Sequence, residues 1–340
     1  MISVNKSNVL TSNNFGINSF LLDEKELFLP FKKQKLVFEN IENQTVENSA
    51  NFEITNNLFV AKEVGEQKTL FITKSQTKPI YVSLDAKDRS YIKLKVVCDE
   101  NVEAKMVVAF GGDSFLKSEL FFDINKNAKL EVILLNDGKN KNFCNIETKQ
   151  DESGKLLLTV LDFCENISLY NVFSQNKKQK ACFNLDFLYA KTKAEQIDIN
   201  ILAENYGKES KTKINVLGML DGLAQKSFKG IIDFKRGAKQ SVGEEKEFAL
   251  MLSKGVKSKS LPVLLCGEED VFGTHATSSG KLLDDAIFYI TSRGISGVDA
   301  KKLLVKAKFN VILSKLFDEK IAKEVSEKID RSIESGTNWF

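Results

Sequence analysis

His275-Ala-Thr-Ser-Ser-Gly280-Lys-Leu-Leu-Asp-Asp-Ala-Ile-Phe288-Tyr289-Ile-Thr-Ser292-Arg293-Gly294-Ile295 is the stretch on which the reading of this chain turns. Before it, apolar residues alternate with polar ones, as in strands; after it they recur every three or four residues, as in helices. His275 is also the only histidine among 340 residues. The stretch therefore joins a long β region to a short helical tail. The expected division is an N-terminal arm over 1–45, a β core over 46–278 and a helical region over 279–340.

Upstream, strand-like runs of four to six residues follow one another for more than 200 residues with no helical patterning. Leu70-Phe-Ile-Thr, Ile80-Tyr-Val-Ser-Leu84, Met106-Val-Val-Ala-Phe110, Leu130-Glu-Val-Ile-Leu-Leu135 and Ile197-Asp-Ile-Asn-Ile-Leu202 are examples. This excludes an alternating strand–helix fold. A corner residue repeatedly precedes such a run, at Asn101, Asn127, Asn166, Gly222, Gly237 and Gly255. Asn and Gly tolerate the left-handed backbone that corners use. Corners feeding short strands suit a solenoid, in which each rung buries its face on the next. A β-sandwich shows the same pattern, so residue patterning leaves the two open.

Downstream, Leu283, Ile287 and Ile290 share one helical face, with Ala286 beside them. Asp284 and Asp285 sit in the first turn, where the helix dipole favours negative charge. Arg293 is expected in the last turn, with Gly294 as the residue that ends the helix. Ser296 and Asp299 resemble a capping box for a second helix. Its expected apolar face is Leu303, Leu304, Ala307, Val311 and Ile312. A third helix after Asp318 uses Ile321, Val325 and Ile329. Three such helices can form a small bundle or present an apolar groove to a partner.

Composition narrows the function classes. The chain carries 49 basic and 46 acidic residues, a net charge of +3, and its pI is near 8.4. That falls short of the basic footprint of nucleic-acid binders. No run approaches the length of a transmembrane helix, and Met1-Ile-Ser-Val-Asn-Lys-Ser lacks a signal-peptide core. A cytoplasmic protein with no membrane partner is expected. The cysteines are Cys98, Cys144, Cys164, Cys182 and Cys266. Odd in number and scattered, they read as reduced thiols and chiefly as small buried apolar residues.

Enzymatic devices are scarce. A Ser-His-Asp or Cys-His arrangement would have to use His275. Gly273…Gly280-Lys281 has six residues between the glycines where a phosphate loop has four, and Leu282 stands where a magnesium-holding hydroxyl is needed. No nucleotide site is expected. The acidic pairs Glu244-Glu245 and Glu268-Glu269-Asp270 read as solvated turns, and Lys139-Asn140-Lys141 as a charged loop.

Against this background, several spaced residues resemble the C-terminal signature of the SufB/SufD family of the SUF iron–sulfur cluster assembly machinery. They are Pro262-Val-Leu-Leu, Asp270-Val271, His275, and Phe288-Tyr289-x-x-Ser292-Arg293-Gly294-Ile295 with Ala300 after it. Asp221-Gly222-x-Ala224-x-x-x-Phe228-x-Gly230-Ile231 resembles the family's later rungs. The resemblance covers roughly 214–315. It implies a right-handed parallel β-helix followed by helical parts, which decides between solenoid and sandwich. It implies pairing with a SufB-like partner through the β-helix, and docking of a SufC-type ABC ATPase through the helices. Phe288, Tyr289, Arg293 and Gly294 would lie at that docking element. His275 would serve a cluster-assembly interface, as a metal ligand or proton relay, with Cys266 as the candidate thiol and the cluster held transiently. ATP hydrolysis would belong to the partner, so this chain is expected to be a non-catalytic scaffold.

Two departures point to the SufD form. Val256 stands where SufB members usually carry Cys, and Ala276 where they carry Glu after the His. A minimal SufB-like scaffold acting as a homodimer is the alternative within the family. Outside it, the alternative is a stand-alone carbohydrate-binding solenoid.

Overall fold

The structure, a computed structural model, describes residues 29–50, 52, 65–139, 141–282 and 284–334, with the backbone of 2–3 and 21–22. Strands β1 (Ile2–Ser3) and β2 (Leu21–Leu22) form an isolated antiparallel pair. The arm is otherwise described only from residue 29, and Leu283 also lies outside the described residues.

The solenoid begins with β3 (Val37–Glu39), β4 (Thr45–Glu47), β5 (Glu66–Ile72), β6 (Ile80–Ala86), β7 (Ser90–Cys98), β8 (Glu103–Gly112), β9 (Leu116–Ile124), β10 (Lys129–Gly138) and β11 (Asn142–Gln150). It continues with β12 (Lys155–Asp162), β13 (Ile167–Asn176), β14 (Cys182–Lys191), β15 (Gln196–Asn205), β16 (Lys211–Leu220), β17 (Gln225–Phe234), β18 (Ser241–Met251), β19 (Lys257–Cys266) and β20 (Val271–Gly280). Alternate strands go to two nine-stranded sheets, one ordered from β3 and β6 to β20, the other from β4 and β5 to β19. From β5 onward all pairing within each sheet is parallel, so the chain winds about eight solenoid turns. The solenoid reading holds and the sandwich does not.

Each strand alternates faces. Leu130, Val132 and Leu134 of β10 point inward onto Leu156, Leu158 and Val160 of β12, and the same rows continue from rung to rung. Four of the six expected corner residues hold positive φ: Asn101 (59°), Asn127 (56°), Gly222 (65°) and Gly237 (99°). Asn166 and Gly255 do not, while Ser153, Lys180, Lys193, Glu209 and Gln240 do.

The outward face of the β20 sheet is apolar where the tail covers it. Helices α1 (Asp284–Thr291), α2 (Gly297–Leu313) and α3 (Glu319–Glu334) follow the last strand. Ile133, Leu135, Leu161, Leu188 and Met219 of the sheet form a second core with Val305, Phe309, Ile312, Val325 and Ile329 of α2 and α3. Polar contacts fix this docking. Tyr81 donates to Asp318 Oδ2 at 2.5 Å, a bond that raises the phenol to about 12, and Lys315 pairs with Asp186 at 2.8 Å.

The caps form as expected. Ser296 Oγ accepts from the Asp299 N–H at 3.1 Å and donates to its carboxylate at 2.6 Å. Asp318 Oδ1 accepts from the Ile321 N–H at 3.1 Å. The expected face of α2 is corrected. Ile312 is buried, but Leu303, Ala307 and Val311 are exposed, and Val305, Phe309 and Leu313 take the inner side. α2 carries apolar residues on two stripes, and the sheet uses only one.

Candidate functional site

The last rung has no successor. β18 covers one side of β20, and β17 covers one side of β19; among the described residues their other edges have no pairing strand. Burial falls accordingly. β16 and β18 alternate buried inward positions with more open outward ones, whereas along β19 and β20 no residue is buried. Phe272 is 60% exposed and Leu265 39%. Bare strand edges of this kind invite pairing with another chain.

Register fixes which side chains face the mouth of the solenoid. Gly243, Glu245, Glu247 and Ala249 are the buried inward row of β18. Their in-register partners on β20 are Gly273, His275, Thr277 and Ser279. His275 thus belongs to the inward row of the terminal rung and is exposed, with no further rung above it among the described residues. Across the mouth, Ser260, Pro262, Leu264 and Cys266 of β19 continue the row of Phe228, Gly230, Ile232 and Phe234. Cys266 is exposed, which corrects its reading as a buried apolar residue; Cys98, Cys144 and Cys164 are buried and Cys182 is half-buried. Burial pushes the Cys98 and Cys144 thiols up to about 12 and Cys164 up to about 11, so these three are inert as nucleophiles. Among the described residues, no three His, Cys, Asp or Glu side chains converge into a metal-binding group.

Below the mouth lies the residue the sequence reading misplaced. Glu245 is not in a solvated turn. It sits in the middle of β18, fully buried, while its neighbour Glu244 faces outward. Adjacent strand residues point to opposite faces, so one carboxylate of the pair had to enter the solenoid. Among the described residues, neither Glu245 oxygen has a hydrogen-bond partner. Burial first, and the Glu247 carboxylate second, push Glu245 up to about 8. Glu247 itself is matched: Lys226 reaches it at 2.7 Å, and Ser260 donates to it at 3.0 Å. Burial holds Lys226 below the usual ammonium range, against the pull of Glu247. The parity of Glu245 with Gly243 and Ala249 was the available signal.

The second candidate surface is on the helices. α1 has no buried residue. Ile287 and Ile290 are half-buried, whereas Phe288 and Tyr289 are 74% and 60% exposed, so neither is helix core. Arg293 lies just past the last turn of α1, not within it. It stacks on the Tyr289 ring at 5.0 Å and donates to the hydroxyl at 3.1 Å. Gly294 holds φ +85°, with nothing within 4 Å of where a Cβ would stand. Ile295, Val298, Leu303 and Val311 extend the exposed apolar surface. The structure thus places the sequence-derived residues in two sets: His275 and Cys266 on the terminal rung, and Phe288, Tyr289, Arg293 and Gly294 on the tail. None of the described helices is long and apolar enough to cross a membrane.

Known proteins are similar to parts of this sequence. The family model for the SUF system FeS cluster assembly SufBD core domain matches residues 82–308, more than half of the chain. An iron–sulfur cluster assembly protein SufD of Bacillus subtilis is 30% identical over 129 residues, which is 38% of this chain and 30% of that protein. A SufBD family protein of Mycobacterium leprae is 35% identical over 86 residues, 25% of this chain and 21% of its own length. The SufD of Escherichia coli is 28% identical over 109 residues, 32% of this chain and 26% of its own. The aligned segments therefore span less than a third of each curated relative.

Proposed function

Because the chain belongs to the SufB/SufD family and so to iron–sulfur cluster assembly, we propose that it is a SufD-like subunit that pairs at its open rung and docks an ATPase through its tail. The observation that carries this reading is the uncapped pair of strands β19 and β20, with His275 in their inward row. A SufB-like chain adding its own strands there would satisfy the bare edges and enclose His275 between two solenoids. Cluster iron and sulfide are the cargo of that enclosed space. An imidazole suits iron as a ligand, and the partner would supply the thiolates that clusters ordinarily use.

The tail supports the second contact. Phe288 and Tyr289 form an exposed aromatic pair, with Arg293 stacked on the tyrosine, and large exposed aromatics with Arg are the usual anchors of protein interfaces. A SufC-type ABC ATPase is the proposed occupant. Movement of the docked ATPases would pull on α1, which follows β20 after only a short connection. The chain itself contributes no hydrolysis in this scheme; it holds, encloses and releases. It acts without nucleic acid or membrane.

Co-expression with a SufB-like paralogue and an ABC-type ATPase tests the reading. A stable complex is expected, and His275→Ala should lower cluster formation while leaving the complex intact. A purified chain that recruits neither protein would sink the proposal. Self-association through β19 and β20 in place of the paralogue would turn it towards the homodimeric form.

A further inference from the structure

The unpartnered carboxylate below the mouth is the strongest unexplained feature of the molecule. Glu245 is 0% exposed, and no donor among the described residues reaches either oxygen. A buried, unsatisfied carboxyl is costly and persists where something else compensates it. The space it occupies is shaped for it. Gly230 faces it across the solenoid, and a Cβ there would come within 2.3 Å of Glu245 Oε1. The neighbouring acid cannot share the task, because Glu247 is already engaged by Lys226 and Ser260. One rung further out, in the same row and in register, stands His275. Its imidazole has no hydrogen bond or ion pair among the described residues, and it faces the open end.

We propose that Glu245 and His275 together form half of a binding site for a divalent first-row transition cation, ferrous iron in function, placed between the last two rungs. This rests on the cluster-assembly reading only for the identity of the cation. The fit is geometric and chemical. In-register residues on adjacent strands stand about 4.8 Å apart. A cation with nitrogen and oxygen ligands at about 2.0–2.2 Å needs its two donor atoms roughly 3 Å apart, within reach of two flexible side chains in one row. A carboxylate with an imidazole suits iron, cobalt or zinc, whereas calcium and magnesium prefer oxygen alone. Two ligands leave the coordination sphere incomplete, in keeping with the absence of a three-ligand group among the described residues. The remaining positions face the open mouth, where water holds them until a partner arrives. Glu245 is then a ligand set in the rung below the one that meets the partner, so the cation is held from inside the solenoid.

The sole histidine makes the test direct. The full chain, with its histidine isotopically labelled, is titrated with Co(II), and the imidazole resonance is followed. Wild type should show saturable paramagnetic broadening of His275. Glu245→Gln should weaken the binding about tenfold or more, the scale at which even supporting residues act on metal sites. Glu244→Gln, on the outward face of the same strand, should behave as wild type. If Glu245→Gln fails to fold, Glu245→Asp makes the same comparison, with its oxygens withdrawn by one methylene. Equal broadening in wild type and the Glu245 variant, or none in wild type, overturns the site. Recruitment of the ATPase is measured in parallel. A chain that loses the Co(II) difference but keeps the ATPase refutes the cation site alone, and a chain that keeps the difference but recruits no ATPase refutes the assembly role alone.

Discussion

The two ends of the solenoid are built differently. At the first end, β3 runs antiparallel to β6 and β4 antiparallel to β5, which closes both sheets with short strands of reversed direction. Phe31 packs against Phe115 at 5.7 Å, and the Arg89 guanidinium lies 4.4 Å from the Phe115 ring. At the last end, β19 and β20 are ten residues each, run parallel to their one neighbour, and carry no buried residue. Natural sheets blunt their edges when the edge has no use. One end is treated this way and the other is left open, which is the contrast the proposed pairing at the open end rests on. The same contrast recurs on α2, whose Phe309 stripe is buried on the sheet and whose Leu303–Val311 stripe is exposed.

The largest effect should come from the covered side. Phe309 is fully buried between α2 and the sheet. Phe309→Ala should cost about 4 kcal/mol, from lost burial and the cavity left behind. Val311→Ala, two positions on and 58% exposed, should stay within about 0.5 kcal/mol. Chemical denaturation of both variants checks this. Similar losses would mean that the two stripes of α2 are not distinct.

The next effect lies beneath the open end and depends on pH. Glu245 keeps its proton in the folded chain up to about 8, while an unfolded glutamate loses it near 4.5. Between those values the folded state holds the extra proton, so stability falls as pH rises. Wild type should lose roughly 3 kcal/mol between pH 5 and 8 from this group alone. Glu245→Gln should remove that slope and be the more stable form at pH 8. Parallel pH profiles for the two proteins would show that Glu245 is solvated or paired.

How far the sequence revealed these differences depends on which face a residue occupies. Strand alternation is local, so the β region and the change at His275 were legible. The rungs were harder, because in-register partners lie 26 residues apart at Lys129 and Lys155, 29 at Cys182 and Lys211, and 31 at Lys211 and Val242. A drifting period hides a repeat. Corners built on Asn and Gly announce themselves, but Lys180, Lys193 and Glu209 adopt the same backbone with no such signal. Their conformation is imposed by the rungs on either side. Glu245 was missed because a pair of acids looks solvated until a strand splits the two between faces. The exposure of Phe288 and Tyr289 was not readable from helical periodicity, since an apolar helix position is silent about whether a neighbour covers it; only the family resemblance pointed to a docking element there.

Charging the open edge should weaken pairing without touching the fold. Phe272→Lys with Leu265→Lys replaces two exposed apolar residues on the terminal strands. Association with a SufB-like partner should weaken by ~2 kcal/mol or more, about thirtyfold, with an unchanged unfolding midpoint. Charges at the first end, which is already closed, should leave association unaltered: Val37→Lys, at 52% exposure on β3, is the matched control. An equal response to both changes would erase the distinction between the ends.

The smallest effect concerns the tail, where one contact can be separated from its neighbour. Phe288 is the more exposed of the aromatic pair and has no polar anchor, while Tyr289 is tied to Arg293 within the chain. Phe288→Ala should therefore act only when a partner is present, weakening ATPase docking by about 1–2 kcal/mol and leaving free-chain stability within about 0.5 kcal/mol. Tyr289→Phe keeps the ring under the Arg293 guanidinium and removes only the hydroxyl acceptor, a loss of about 1 kcal/mol or less. If Tyr289→Phe weakens docking as much as Phe288→Ala, the hydroxyl faces the partner and the bond to Arg293 opens on docking. If it does not, the stacked pair acts as a rigid edge beside the one side chain that enters the partner's surface.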